Sequence, residues 1–236
     1  MSERICVPKH FQGPTDIVNG GYLSGVLGEV LAGPSKVSLR APWPVDVELD
    51  LVRNGDSVQV QNDGALIAEA ERISPFETDV PDIPDEAEVS RAEQAYLDGN
   101  SPVPNCFVCG KNREDGEGLR VFAGKVPNRS IAASRWVPHE NFADATGRIS
   151  DRFIWGALDC PSAWALPPGF GDNTLLAAMS AETLMPLHAG EKCTVLAWQV
   201  GDVSGRKAAS ASALVNEGGQ LVAHTRTLWI RVAGIS

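Results

Sequence analysis

Asn19-Gly20-Gly21-Tyr22-Leu23-Ser24-Gly25-Val26-Leu27-Gly28-Glu29-Val30-Leu31 carries its apolar side chains at positions 23, 26, 27, 30 and 31. That spacing predicts a helix with an apolar face, stopped by Gly33-Pro34. Short β-type runs follow at residues 36–40, 45–52, 57–61 and 65–72. Asn54-Gly55-Asp56 and Asn62-Asp63-Gly64 separate the last three and read as hairpin turns. Glu48, Asp50, Gln59 and Gln61 alternate with apolar neighbours, so the sheet has one wet face. An apolar helix followed by an antiparallel meander makes physical sense when the sheet wraps the helix.

The same order recurs further on. Residues 118–122 and 130–137 are strand-like, residues 153–166 form a mostly apolar helix candidate, and Pro167-Pro168-Gly169 ends it. Strands are expected at 174–181, 192–203, 207–216 and 221–232, the last hairpin turning at Glu217-Gly218-Gly219. The two endings align, Asn62-Asp63-Gly64-Ala65-Leu66-Ile67-Ala68-Glu69 against Glu217-Gly218-Gly219-Gln220-Leu221-Val222-Ala223-His224. A unit of about 70 residues buries limited surface alone, whereas two units can merge their sheets and remove two exposed edges. The expected fold is α+β: two antiparallel sheets, each around a central helix, joined into one. Unit one spans residues 1–73 and unit two residues 106–236. Between them, residues 74–105 contain Pro75, Pro81, Pro84, Pro102 and Pro104 and read as an acidic linker with a short helix at 86–97.

Composition bounds the function. The 236 residues are 43% hydrophobic, as in a protein with a real core, and no run approaches the roughly 18 apolar residues of a membrane span. The start, Met1-Ser2-Glu3-Arg4-Ile5-Cys6-Val7-Pro8, has no signal-peptide pattern. Five cysteines spread along the chain do not suggest a disulfide scaffold, so a cytoplasmic protein is expected. The net charge of -10 argues against a nucleic-acid partner. Most of it lies between Ser74 and Asn100, where eight acids face Arg91 alone. An anionic ligand elsewhere on the chain is therefore compatible with the charge.

Several motifs carry a resemblance. Asn19-Gly20-Gly21-Tyr22-Leu23 opening a helix, with Ala41-Pro42-Trp43-Pro44-Val45-Asp46-Val47-Glu48 after it, resembles the first half of the tandem-hotdog, thioesterase II-like acyl-CoA thioesterases. Cys106-Phe107-Val108-Cys109-Gly110 with Gly118-Leu119-Arg120 is similar to the opening strand of phenylacetyl-CoA-type hotdog thioesterases. Trp155-Gly156-Ala157-Leu158-Asp159 resembles the helix that holds the catalytic aspartate. Together these motifs cover most of the chain outside the linker.

The resemblance implies hydrolysis of an acyl-CoA or related thioester at a composite site, with no cofactor, no metal, and a homodimer compatible with the fold. The chemistry needs donors aimed at the developing oxyanion and a carboxylate that activates water or attacks directly. Gly20, Gly21 and the Tyr22 amide, at a helix start, fit the first role; Asp159, in an otherwise apolar helix, fits the second. Thr183 matches an assisting Ser/Thr, and Gln12 is placed to orient water. Asn19, Tyr22, Trp155 and Arg226 are expected to contact substrate, Trp155 along the acyl chain and Arg226 with Asp159 or a CoA phosphate. A reciprocal site would need Asp151-Arg152-Phe153 in place of the glycine turn and Glu29 as carboxylate, so one competent and one degenerate site are expected.

The chain departs from the pattern in two places. Asn19 stands where single-unit families have His, and the Gln expected near Arg226 or Thr227 is missing. Two other readings stay open at this level: a non-catalytic acyl-CoA or lipid-binding protein, and an interaction protein working through the acidic linker. A tight turn without ligand also explains Gly20-Gly21, and an exposed helix position also explains Asp159. Cys106-x-x-Cys109 lacks a second ligand pair at zinc spacing and reads as structural.

Overall fold

The computed structural model describes residues 3–168, 170 and 173–232. In chain order its elements are β1 (Glu3–Cys6), α1 (Gly20–Leu31), β2 (Ser35–Leu39), β3 (Glu48–Asn54), β4 (Ser57–Asn62), β5 (Ala65–Arg72), α2 (Glu86–Asp98), β6 (Gly124–Lys125), β7 (Ile131–Trp136), α3 (Asp151–Trp164), β8 (Thr174–Thr183), β9 (Cys193–Ser204), β10 (Lys207–Asn216) and β11 (Leu221–Arg231). Short 3-10 turns at Lys9–Phe11 and Glu140–Phe142 precede α1 and α3.

One sheet of eleven strands runs in the order β1-β3-β4-β5-β2-β8-β11-β10-β9-β7-β6, and every pairing is antiparallel. The order β1-β3-β4-β5-β2 is mirrored by β7-β9-β10-β11-β8. Each set follows the same plan: a strand, the helix, one further strand, then a three-strand meander whose last strand returns beside that one. The seam is short: Ser35, Lys36, Val37 and Ser38 pair with Ala181, Ser180, Met179 and Ala178. It turns the outermost strand of each half into an interior one, which removes two edges.

The helices lie against the sheet and against each other. Leu23, Leu27, Val37, Val58 and Val60 of the first half and Ile154, Leu158, Met179 and Val195 of the second belong to one buried cluster. Gly21 meets Asp159 whereas Gly25 meets Arg152, so α1 and α3 run in opposite directions. The approach is very close. A Cβ on Gly25 would lie 2.3 Å from the Arg152 Cα, so only glycine lets the backbones pass.

The expected meanders appear with small shifts at their ends. The second run begins at Glu48 rather than 45, because Trp43-Pro44-Val45 is held in a loop by the Val18 N–H on the Trp43 carbonyl. Gly33-Pro34 follows α1, but Ala32 adopts the left-handed cap at φ 56°. Residues 118–122 form no strand. Leu119 and Val121 donate to the Phe107 and Val108 carbonyls, and that partner is a tight turn, closed by the Gly110 N–H on the Cys106 carbonyl. β1 has no counterpart in the sequence expectations; it is a four-residue edge strand, mostly exposed, without a readable alternation. Gly169 of the expected stop after α3 lies outside the described residues.

The acidic segment is fastened along the sheet. Thr78 Oγ1 bonds His224 Nδ1 at 2.9 Å, the Arg226 guanidinium donates to the Glu77 carbonyl and that of Arg129 to the Asp82 carbonyl. α2 starts in a capping box made by Asp85 and Glu88. It buries Val89 and Ala92 against the β6–β7 end, where Glu93 pairs with Arg135. Among the described residues no helix is long and apolar enough to cross a membrane.

Gly25→Ala gains helix propensity of about 1 kcal/mol but forces apart two backbones. We expect a net loss of about 2 kcal/mol or more, read as a lower urea midpoint than wild type; an unchanged midpoint would contradict this packing.

Candidate functional site

Asn19 caps α1. Its Oδ1 accepts the Tyr22 N–H at 2.8 Å, and its Nδ2 donates to Asp159 Oδ2, also at 2.8 Å. One side chain therefore ties the helix start of the first half to a carboxylate of the second. Gly21 permits the contact, since a Cβ there would stand 2.3 Å from the Asp159 Cβ.

Asp159 is 2% exposed. Burial pushes its carboxyl up to about 7, the neighbouring Cys106 adds to the rise, and the Gly21 N–H and Asn19 amide oppose it. The Gly21 N–H is directed at the carboxylate without saturating it, and Oδ1 has no hydrogen-bond partner among the described residues. Gly20 is the first residue of α1, so its N–H has no partner within the helix.

A cavity of about 600 Å³ adjoins this pair. Asn19, Gly20 and Asp159 supply polar lining; Leu23, Leu39, Trp43, Leu176 and Trp229 make apolar wall, and Arg40 is a lining cation, paired with Glu69. Trp43 and Trp164 also line it, and their indole N–H groups lack partners among the described residues. The combination is an apolar chamber with an unsatisfied acceptor, unsatisfied donors and a helix N-terminus on its wall, the usual make-up of a small-molecule site.

The other sequence candidates lie elsewhere. Gln12 Oε1 accepts the Asp16 N–H at 3.3 Å near the surface. The Tyr22 N–H is used by the Asn19 cap, and its ring stacks on Phe11 at 4.2 Å within an aromatic group that includes Phe107 and Phe153. Trp155 lies over Gly28 and donates from Nε1 to Thr183 Oγ1 at 3.0 Å, and neither residue is part of the cavity lining. Arg226 spans the Phe76 ring and the Glu77 carbonyl, holding the acidic segment rather than Asp159.

At the reciprocal position, Glu29 of α1 faces the start of α3. The Arg152 N–H and Nε both donate to its carboxylate, at 2.9 and 2.8 Å, and the guanidinium completes an ion pair. The glycine-and-acid arrangement of one side is thus replaced by a closed salt bridge on the other.

Sequence spacing missed the sulfur environment of the site. Cys106 and Cys160 line the cavity with their Sγ atoms 3.7 Å apart, 3.9 and 3.8 Å from Asn19 Nδ2. Cys160 directly follows Asp159, a signal that was available. Thiol donation from Cys109 and Cys160 holds Cys106 well below the ordinary thiol value.

No protein-family model matches the chain, and no curated protein matches it in sequence. Solved structures do match. A conserved protein of unknown function with a hot dog fold from Alicyclobacillus acidocaldarius gives a TM-score of 0.62 at 13% identity, covering 98% of this chain and 93% of that one. The chain is a double hotdog. A candidate thioesterase from Novosphingobium aromaticivorans reaches 0.64 at 15% identity, covering 98% and 95%. A candidate thioesterase II from Thermobifida fusca reaches 0.60 at 16%, covering 98% and 92%. The likeness is one of fold. In this double hotdog the cavity with the buried acid lies where α1 of one half meets α3 of the other.

The raised Asp159 value has a consequence for stability. Its folded form holds the proton more tightly than the unfolded chain, so its contribution is complete below about pH 4 and is lost as pH rises through about 7. The melting temperature of wild type should therefore fall between about pH 4 and pH 7. In Asp159→Asn, which has no proton to lose, that part of the fall should vanish. Identical pH slopes for the two proteins would remove the assignment.

Proposed function

We propose that this chain hydrolyses acyl-CoA thioesters in the cavity between its two halves. The observation that carries the reading is a fully buried carboxylate, Asp159, with a free oxygen and a raised pKa, against the glycine start of a helix on an apolar chamber. A carboxylate near neutrality is matched to taking a proton from water. The Gly20 N–H and the positive end of α1 stabilise the oxyanion. Asp159 removes the proton as the water oxygen bonds the carbonyl carbon. The C–S bond then breaks and the departing thiolate takes up a proton. The acyl chain occupies the wall of Leu23, Leu39, Trp43 and Leu176, and Arg40 at the cavity meets a CoA phosphate. Asn19 takes a positioning role: it fixes the carboxylate rotamer while it caps the helix.

Thr183, Gln12, Trp155 and Arg226 support the scaffold in this reading. The likeness in fold to structures named as candidate thioesterases agrees with the proposal. Five free cysteines fit a reducing compartment, and we place the protein in the cytoplasm.

Thiol release measured over acyl-CoAs of graded chain length tests the proposal. Wild type should turn over, with kcat/KM rising as pH increases through about 7 because the base must be unprotonated. Asp159→Asn should lower it by about 100-fold or more. Absence of turnover, with CoA esters still raising the melting temperature, would convert the reading into one of binding alone. Glu29→Gln opens the salt bridge of the reciprocal side. It should lower the melting temperature and leave hydrolysis within about twofold, since loss of one partly exposed ion pair acts on stability; a loss comparable to that of Asp159→Asn would mean that both sides work.

A further inference from the structure

We propose that Cys106, Cys109 and Cys160 form a three-thiolate site for a zinc-class divalent ion on the wall of the cavity. All three are buried, and their sulfur atoms lie within 4.8 Å of one another. The one separation fixed more narrowly, Cys106 Sγ to Cys160 Sγ, is 3.7 Å. Two sulfurs each about 2.3 Å from a tetrahedral ion stand about 3.8 Å apart, so an ion enters with little movement of this pair.

The local backbone is built for bound sulfur. Cys106 and Cys109 sit on one tight turn closed by the Gly110 N–H on the Cys106 carbonyl at 2.9 Å. Gly110 is required there, because a Cβ would lie 2.4 Å from that carbonyl oxygen. The Val108 and Cys109 N–H groups are directed at the Cys106 sulfur, and the Asn19 amide approaches both Cys106 and Cys160. Such donors stabilise anionic sulfur and orient a ligand as outer-shell partners do. The third ligand arrives from α3, which explains why spacing along the chain shows a lone Cys-x-x-Cys.

Loading replaces three S–H protons by the ion: Zn²⁺ and three thiols give a complex of charge -1 and release three protons, so affinity rises with pH and is lost as pH is lowered. The carboxylate of Asp159 is not part of the cluster, so a fourth position is left for water or a ligand atom. Cys106 and Cys160 border the cavity, which supplies the path by which an ion enters. A soft, thiolate-rich donor set selects zinc over magnesium or calcium. The inference stands whether or not the protein hydrolyses thioesters.

The test is metal binding by the reduced, chelator-stripped full chain. One equivalent of Zn²⁺ should bind and survive gel filtration, and Co²⁺ in its place should give the sulfur-to-metal charge-transfer absorption of a thiolate-bound tetrahedral ion. Cys109→Ser and Cys160→Ser should each weaken binding at least tenfold, whereas Cys6→Ser, at the exposed cysteine, should bind as wild type. Circular dichroism of each variant separates loss of ligand from loss of fold, and the cobalt spectrum of wild type decides the matter if the variants fail to fold. No stoichiometric metal with all thiols reduced, a spectrum without thiolate charge transfer, or full retention in folded Cys109→Ser and Cys160→Ser would overturn the proposal. So would isolation of the native protein with a Cys106–Cys160 disulfide.

Discussion

The Asn19 side chain joins two things that the chain keeps far apart in sequence: the first turn of α1 and the carboxylate on α3. Much of the surrounding structure follows from keeping that contact short. Gly21 and Gly25 remove the side chains that would hold the helices apart. The apolar faces of both helices seal the acid from water, and sealing is what lifts its pKa. The sheet has to span both helices at once, and the β2–β8 seam makes it do so. A single hydrogen bond of this kind has a modest net value. Its importance lies in what would be left behind without it, an unpaired acid in the core.

The two halves repeat a plan and diverge in chemistry. Both helix starts meet an acid of the facing helix. On one side the acid is short, buried and held by an amide, with glycine backbone against it; on the other it is Glu29, long enough to reach the Arg152 guanidinium. The first arrangement leaves an oxygen open and the second leaves none. The difference amounts to a few side chains on an unchanged backbone, as expected where function is grafted on a fold.

Much of the fold was legible from the chain, because it is written in short-range terms. The helix period at 23, 26, 27, 30 and 31, the hairpin turns at Asn54-Gly55 and Asn62-Asp63-Gly64, and the repeated ending at Glu217-Gly218-Gly219 are local signals with local causes. Of the site, Asn19, Gly20, Gly21 and Asp159 come together as their types suggested, since an acid in an apolar helix and a glycine pair at a helix start each demand a partner. Thr183, Trp155 and Arg226 lie elsewhere, because their contacts depend on β-register and on the path of the acidic segment, and Gln12 is taken up by a local turn with Asp16. No periodicity encodes either. The cavity tryptophans are hidden for the same reason: which face of an element borders a void is decided by tertiary packing.

The seam between β2 and β8 has a consequence for heredity as well as for shape. Two identical copies related by a symmetry axis must carry every change twice, once at each equivalent position. A charged side chain in the glycine turn would then appear on both sides together. Covalent fusion ends that constraint. In one covalent chain Asp151 and Arg152 stand where the first half has Gly20 and Gly21, and each helix start keeps its own side chains. A chain of two units can therefore vary one half without the other, a freedom that a symmetric pair of identical chains lacks.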